Sequence, residues 1–128
     1  MKRSIIIFTA FVIYSLIGCA QVDPGSNISV EQLKEKIKKD SSLVILDVRT
    51  PQELAGPLGK LDGVINIPVQ ELNQRIKELD VYKGKEIAVI CRTGNRSGTA
   101  TSFLRKEGFN AKNVLGGMVD YRNSEKKN

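Results

Sequence analysis

The chain of 128 residues is long enough for one domain and too short for two of ordinary size, and its 41% hydrophobic and 27% charged residues favour a folded domain over a disordered one. The net charge of +6 is compatible with nucleic-acid binding, but no aromatic residues interleave with a basic patch, and we expect no nucleic-acid partner. Histidine is absent, which removes the commonest general base and metal ligand, and we expect no metal site.

The first 18 residues have the pattern of a signal peptide. Lys2 and Arg3 form a positive start, and a mostly apolar stretch follows at 5–17. That stretch is shorter than the roughly 20 residues that a helix needs to span a bilayer. An uncleaved N-terminal anchor helix is the alternative interpretation.

The stretch Leu16-Ile17-Gly18-Cys19 resembles the lipobox of a bacterial lipoprotein, in which the cysteine is acylated and becomes the new N-terminus. The resemblance implies that Cys19 carries lipid, such as palmitate, and anchors the protein to a membrane of the cell envelope, outside the cytoplasm. A disulfide between Cys19 and Cys91 is a less favoured alternative. Residues 19–27 then form a polar linker between the lipid and the domain.

The domain is expected over residues 28–123, and its first element is an amphipathic helix. Ser29 and Gln32 have the spacing of a capping box at the helix start. Val30, Leu33 and Ile37 follow at helical spacing, with charged residues on the other faces.

A buried strand is predicted at Leu43–Leu46, and a polar turn follows it. Thr50 is a good N-cap for a new helix, because Pro51 suits its first position and Glu53 completes a capping box. The favoured role of Asp47, Arg49 and Glu53 is structural. The alternative is that Arg49, at the carboxyl edge of the sheet, orients an anionic ligand or steadies the next loop.

A short strand at 64–68 and a helix at 69–79 are predicted next, the helix from apolar residues at helical spacing. A second buried strand, Ile87–Ile90, ends at Cys91, and a helix is predicted from Ser97 to Leu104. Backbone N–H groups at such a strand-to-helix junction converge on an anion.

The anion at this junction is predicted to be the thiolate of Cys91. Helix N-termini and nearby arginines, here Arg92 and Arg96, lower the pKa of a thiol from its usual value of about 8.5. Arg96 is the better placed of the two to face the pocket. Ser97 serves most simply as a helix cap.

The last segments are a helix end at Gly108, a short strand at Val114–Leu115 and a close backbone pass at Gly116-Gly117. Met118 and Tyr121 are expected to pack on the sheet. Residues 124–128 are expected to form a frayed, charged tail.

Three motifs together resemble a single-domain rhodanese, a sulfurtransferase, in order and spacing. They are Asp47-Val48-Arg49-Thr50-Pro51-Gln52-Glu53, the loop from Cys91 to Ser97, and Gly116-Gly117-Met118. The resemblance implies an α/β fold with a central, mainly parallel five-stranded sheet flanked by helices. Alternating strand and helix signals independently favour that class.

The resemblance also implies a mechanism. Cys91 is the nucleophile that takes a sulfane sulfur from thiosulfate or a similar donor, and the main chain of the substrate-binding loop, Arg92-Thr93-Gly94-Asn95-Arg96, holds the outer sulfur. Beside this loop, Asp47, Arg49 and Ser97 are the candidate supporting residues, with the structural roles given above. The acceptor is a thiol or a cyanide-like nucleophile, no cofactor is needed, and we expect a monomer.

One stretch departs from the family. Many relatives carry Gly-His-Ile-Pro-Gly where this chain has Gly59-Lys60-Leu61-Asp62-Gly63, so Lys60 stands in place of the histidine. The departure leaves the chemistry of Cys91 intact. It affects the expected rim of the site and therefore the choice of substrate.

Three other interpretations of Cys91 are open. A phosphatase-like or arsenate-reductase-like enzyme is disfavoured, because such loops place five residues between cysteine and arginine and only four separate Cys91 from Arg96. A tethered persulfide or polysulfide carrier with little turnover is hard to separate from an enzyme by sequence. An inert core cysteine is disfavoured by the two neighbouring arginines.

Overall fold

A computed structural model of the chain describes residues 24–128. The expected signal peptide, the lipobox with Cys19 and most of the expected linker lie outside these residues. Within the described part, no helix is both long and apolar enough to cross a membrane.

Five parallel strands form one sheet in the order β1-β5-β4-β2-β3. The strands are β1 (Asn27–Ile28), β2 (Val44–Asp47), β3 (Ile65–Asn66), β4 (Glu86–Ile90) and β5 (Asn110–Val114). The predicted α/β class with a five-stranded, parallel central sheet is confirmed. Parallel strands place all their carboxyl ends at one edge, which is where such folds bind ligands.

Helices cover both faces of the sheet. They are α1 (Val30–Lys39), α2 (Pro51–Leu54), α3 (Leu72–Arg75), α4 (Asn95–Lys106) and α5 (Gly117–Glu125), with a 3₁₀ helix at Ile76–Tyr82 and a shorter one at Pro24–Ser26. One core layer packs beneath α3 and α4 and includes Val89 and Leu104. The other packs beneath α1 and α5 and includes Leu33 and Met118.

The central strands β2 and β4 are buried on both faces, as their continuous apolar sequences predict. Val44 pairs with Ile87 and Leu46 with Val89 across the two strands. Every β2 residue is buried, and so are the last four residues of β4. This register brings Asp47, at the end of β2, opposite Ile90.

Both predicted capping boxes are present. Ser29 accepts a hydrogen bond from the Gln32 amide at the start of α1, and Thr50 accepts one from the Glu53 amide at the start of α2. The predicted end of α4 is also confirmed, because Gly108 follows the helix with a left-handed φ of +90°.

Strand β1 and helix α5 were not predicted from the sequence, and β5 begins earlier than the predicted strand at Val114–Leu115. Strand β1 has only two residues, which is too short for a pattern, and β5 carries two polar residues, Asn110 and Lys112, on its more accessible side. The predicted helix at 69–79 is instead a short α-helix followed by a 3₁₀ helix. Ile76, Leu79 and Tyr82 recur every third residue, which matches the three residues per turn of a 3₁₀ helix.

Helix α5 continues past residue 123 to Glu125, so it includes part of the segment that we expected to form a tail. Its first residue is a glycine, which is a poor helix former. Met118 is fully buried in it and Tyr121 is partly buried against the same layer, as expected.

Candidate active site

Cys91 lies where β4 ends and a short loop leads into α4, as predicted. Helix α4 begins at Asn95, two residues earlier than expected, because Gly94 turns the backbone with a left-handed φ of +104°. A Cβ atom on Gly94 would lie 3.3 Å from the Gly116 amide nitrogen, so only glycine fits this turn without strain.

The sulfur of Cys91 is surrounded by hydrogen-bonding groups. The Gly94 amide donates to Sγ at 3.1 Å, and the Ser97 hydroxyl lies 3.2 Å from Sγ. Burial raises the pKa of the Cys91 thiol, but the contact with the Ser97 hydroxyl and hydrogen bonds from the amides of Ser97, Gly94 and Thr93 outweigh burial, so the net pKa is lowered. The side chain is 1% exposed, and its environment favours a thiolate.

The expectation that Ser97 caps the helix is wrong, because α4 already begins at Asn95 and Ser97 lies inside its first turn. Ser97 instead belongs to a buried chain of hydrogen bonds that continues to β5. Its hydroxyl donates to Asn113 Oδ1 at 2.6 Å, and Asn113 Nδ2 donates to the Gly94 carbonyl at 3.3 Å. Asn113 therefore links the cysteine loop to the neighbouring strand. Sequence analysis missed this residue because β5 was placed one residue after it.

The start of α5 holds the other side of the loop. The amides of Met118 and Val119 donate to the carbonyls of Cys91 and Arg92 at 2.9 and 3.0 Å. A Cβ atom on Gly117 would lie 2.5 Å from the Cys91 carbonyl oxygen, and Gly117 has a φ of +58°. The predicted close approach of the backbone at Gly116-Gly117 is therefore present. It fixes the position of the Cys91 main chain and thus of its sulfur.

Asp47 and Arg49 form a buried ion pair at the end of β2, with side chains 0% and 1% exposed. Arg49 Nε and Nη2 donate to the Asp47 carboxylate, and Nη2 also donates to the Gly59 carbonyl at 2.8 Å. Asn66 Nδ2 donates to the carbonyl oxygens of both residues. These contacts match the structural role that the sequence favoured for Asp47 and Arg49. Nη1 of Arg49 is buried and has no hydrogen-bond partner among residues 24–128.

The Arg96 side chain points toward the segment at the end of β2, residues 47–54, which we call the β2 loop. The segment that follows β4, residues 91–97, is called the β4 loop. Its two terminal nitrogens donate to the Glu53 carboxylate at 2.8 and 2.7 Å. This pairing lowers the pKa of Glu53 to about 2, and Glu53 together with the Cys91 thiolate raises the pKa of Arg96. Sequence analysis assigned Glu53 to the cap of α2 and missed its contact with the cysteine loop.

The other loop residues are more open. Arg92, Thr93 and Asn95 are exposed, and Arg92 lines a cleft of about 270 Å³ together with Glu53 and the turn around Pro57. Lys60 is exposed and lines a separate cleft with Asp62 and Tyr121, and its carbonyl accepts from Arg122 Nη2 at 3.3 Å. Among residues 24–128, no group of three or more histidine, cysteine or acidic side chains is arranged to hold a metal ion.

A buried cysteine whose sulfur accepts a hydrogen bond from a backbone amide, and which lies at a strand-to-helix junction, is typical of cysteine-based transfer proteins. Residues 29–124 match the model of the rhodanese-like domain. The protein belongs to the rhodanese-like family.

Three relatives illustrate the range of the family. YtwF of Bacillus subtilis (strain 168), named as a sulfurtransferase, is 36% identical over 99 residues, covering 77% of this chain and 92% of that protein. YrkF of the same organism, named as a sulfur carrier protein, is 40% identical over 95 residues, covering 73% of this chain and 49% of that protein. A rhodanese-related protein of Thermoplasma volcanium has a crystal structure that is similar with a TM-score of 0.69 and 39% identity, covering 77% of this chain and 91% of that one.

The relatives named as sulfurtransferases, together with the similar rhodanese-like structures, support a role in sulfur transfer. They also support the coarse prediction of an enzyme of this family.

Proposed function

We propose that the protein is a sulfurtransferase in which Cys91 carries the transferred sulfur as a persulfide. The observation that carries the proposal is the Gly94 amide directed at Cys91 Sγ at 3.1 Å, in a loop that opens a helix. Amide donors stabilise negative charge on sulfur and leave the thiolate ready to attack. The amides of residues 92–96 then bind the outer sulfur of the persulfide.

The reaction proceeds in two displacements. The Cys91 thiolate attacks the outer sulfur of thiosulfate or a similar donor, the S–S bond of the donor breaks, and its electron pair leaves with sulfite. The persulfide anion on Cys91 then gives its outer sulfur to a thiol or a cyanide-like acceptor, which regenerates the thiolate. Cys91 is the only cysteine among residues 24–128, so that part of the chain holds no second thiol to discharge the persulfide.

The direct test is the intact mass of the purified domain after incubation with thiosulfate. We expect the mass of one added sulfur in the wild type and none in Cys91→Ser. Addition of cyanide should remove the sulfur and release thiocyanate. Sulfur loading of Cys91→Ser at the wild-type level would contradict the proposal.

A membrane-tethered persulfide carrier is the second candidate, and the similarity to YrkF, which is named as a sulfur carrier protein, favours it. A carrier loads one sulfur and releases it slowly, whereas an enzyme turns over. The amount of thiocyanate formed per molecule of protein, with excess thiosulfate and cyanide, distinguishes the two. Many equivalents support the enzyme. A single equivalent of thiocyanate, formed when cyanide discharges the loaded protein and not thereafter, supports the carrier.

We also propose that Cys19 is acylated and holds the domain at the outer face of a membrane of the cell envelope. The support is the sequence Leu16-Ile17-Gly18-Cys19 behind a basic, then apolar, leader. Labelled palmitate should enter the wild type and fail to enter Cys19→Ala. Equal labelling of both proteins would contradict the anchor.

A further inference from the structure

Five charged side chains lie at or just after the ends of β2 and β4, at the edge of the sheet where Cys91 lies, and four of them form two closed pairs. Asp47 neutralises Arg49 inside the protein, and Glu53 neutralises Arg96 nearer to the surface. Arg92 is the fifth. Its guanidinium makes no hydrogen bond or ion pair with any residue in the described range 24–128.

The Glu53–Arg96 pair is firmly built. Both terminal nitrogens of Arg96 contact the Glu53 carboxylate, in the bidentate geometry that is strongest for this pair. The amide and hydroxyl of Thr50 also donate to Glu53 Oε2, at 2.9 and 3.1 Å. The carboxylate is thus held by α2. It occupies two of the five N–H donors of Arg96 and offsets the positive charge that Arg96 would otherwise present to an anionic donor.

The cleft next to this pair has a polar and an apolar side. Arg92, Glu53 and Arg49 line one part, and Gly56, Pro57 and Leu58 line another. A donor that carries an organic group finds apolar surface there. Thiosulfate has no such group.

We propose that Glu53 determines which sulfur donor the site accepts: by neutralising Arg96, it favours a donor with one negative charge, a hydropersulfide R–S–S⁻, over the dianion thiosulfate. The inference rests on the proposed sulfur transfer through Cys91. Arg49 and Arg96 are each offset by a carboxylate, so Arg92 is the one guanidinium of the three without a carboxylate partner in the described range. The net charge of these five side chains is therefore +1, which a Cys91 thiolate cancels, and no surplus positive charge is left for a second negative charge on the donor.

The transfer from such a donor is balanced. The Cys91 thiolate attacks the terminal sulfur of R–S–S⁻, and a bond forms between Sγ and that sulfur. The S–S bond of the donor breaks, and its electron pair leaves on R–S⁻. Two negative charges are present before and after the step, and no oxidant or reductant takes part.

The test compares two donors, thiosulfate and 2-hydroxyethyl hydropersulfide. Thiosulfate carries two negative charges, and the hydropersulfide carries one, on its terminal sulfur. The rate of persulfide formation on Cys91 is followed by intact mass at fixed ionic strength, and each rate is divided by the rate of the same donor with free cysteine. In Glu53→Gln we expect the thiosulfate rate to rise about fivefold and the hydropersulfide rate to change less than about twofold. Glutamine at this position still completes the capping box, so the fold is retained.

Two further variants make the test specific. Arg96→Gln exposes the Glu53 charge, and we expect the thiosulfate rate to fall while the hydropersulfide rate falls less. Glu78→Gln is the matched control. It breaks another close Glu–Arg pair, with Arg75 at 2.7 Å, on the segment that leads to the amino end of β4, and it should leave both rates unchanged.

An unchanged ratio of the two donor rates in Glu53→Gln overturns the inference while the proposed function stands. A rise in both rates by the same factor also overturns it, because the effect would then concern the reactivity of Cys91 and not the charge of the donor. If neither donor loads Cys91 in the wild type, the proposed function fails and the inference fails with it.

Discussion

Two loops leave the same edge of the sheet, one after β2 at Asp47 and one after β4 at Cys91, and each leads into a helix. In the β2 loop, contacts between side chains and capping groups pair the charged residues: Asp47 binds Arg49, and Glu53 binds Thr50 and Arg96. The β4 loop relies on backbone amides around one sulfur. The two neighbouring strand ends therefore have different roles. In the β2 loop the charged side chains are already paired with one another and are poorly available to a ligand, whereas in the β4 loop the backbone amides are available to bind an anionic sulfur.

The comparison predicts that changes in the β2 loop lower stability and that changes in the β4 loop alter reactivity. Asp47→Asn should have the largest effect on stability, because it leaves the buried charge of Arg49 without its partner. We expect a loss of about 3–5 kcal/mol in the free energy of unfolding, measured with urea. The double variant Asp47→Asn/Arg49→Met removes both charges and should recover part of the loss. Wild-type stability of the single variant would contradict this role.

Gly117→Ala tests the contact by which α5 holds the cysteine loop. The added methyl group would lie 2.5 Å from the Cys91 carbonyl oxygen at a φ of +58°, and we expect a loss of about 3 kcal/mol. Gly63→Ala is the matched control, because Gly63 has a φ of +70° and no atom within 4 Å of the added position. Its cost should be only about 1 kcal/mol of backbone strain. Equal losses in the two variants would show that the contact with Cys91 contributes nothing.

Ser97→Ala should act on reactivity more than on stability. The single hydroxyl hydrogen of Ser97 is directed at Asn113 Oδ1 in the structure, and we expect it to turn to Sγ when Cys91 is ionised. Without this hydroxyl the pKa of Cys91 rises, and less thiolate is present at neutral pH. We expect alkylation by iodoacetamide at pH 7 to slow by roughly tenfold, and the midpoint of its pH profile to move upward. Ser102→Ala, at an exposed position of the same helix, should leave the profile unchanged. An unmoved midpoint in Ser97→Ala would contradict the role of the hydroxyl.

The sequence predicted the elements whose signals are local. The apolar runs of β2 and β4, the capping boxes at Ser29 and Thr50 and the glycine end of α4 are each encoded within a few residues. The Arg96–Glu53 contact joins residues 43 positions apart in the sequence, and the Ser97–Asn113 contact joins residues 16 positions apart. Helix and strand periodicity predict contacts between residues only a few positions apart, so they do not predict these two pairs. Arg96 was expected to face the pocket because its guanidinium is a good anion ligand. Whether the Arg96 guanidinium is already paired with a carboxylate of the protein depends on how α2 packs beside the β4 loop, and the local sequence around Arg96 does not encode that packing.

The Glu53–Arg96 pair joins the two loops, and its effect on stability should be the smallest of those predicted here. The pKa of Glu53 is about 2 in the folded protein and near 4.5 in an unfolded chain, so the pair stabilises the fold above about pH 4.5. That contribution is lost as the pH falls from about 4.5 through about 2. Because both side chains are about a third exposed, at 33% and 31%, solvent screens the pair and we expect only about 0.5–1 kcal/mol.

Urea unfolding of the wild type and of Glu53→Gln at several pH values measures this contribution. The difference between the two proteins should be greatest at neutral pH and should shrink as Glu53 becomes protonated in the wild type. Glu78→Gln, which breaks an exposed pair on the 3₁₀ helix, gives the comparison for a pair outside the two loops. A Glu53→Gln difference that stayed constant down to pH 2 would mean that Glu53 stabilises the β2 loop through its cap at Thr50 alone, and that the charge on Arg96 is free to act on whatever ligand approaches Cys91.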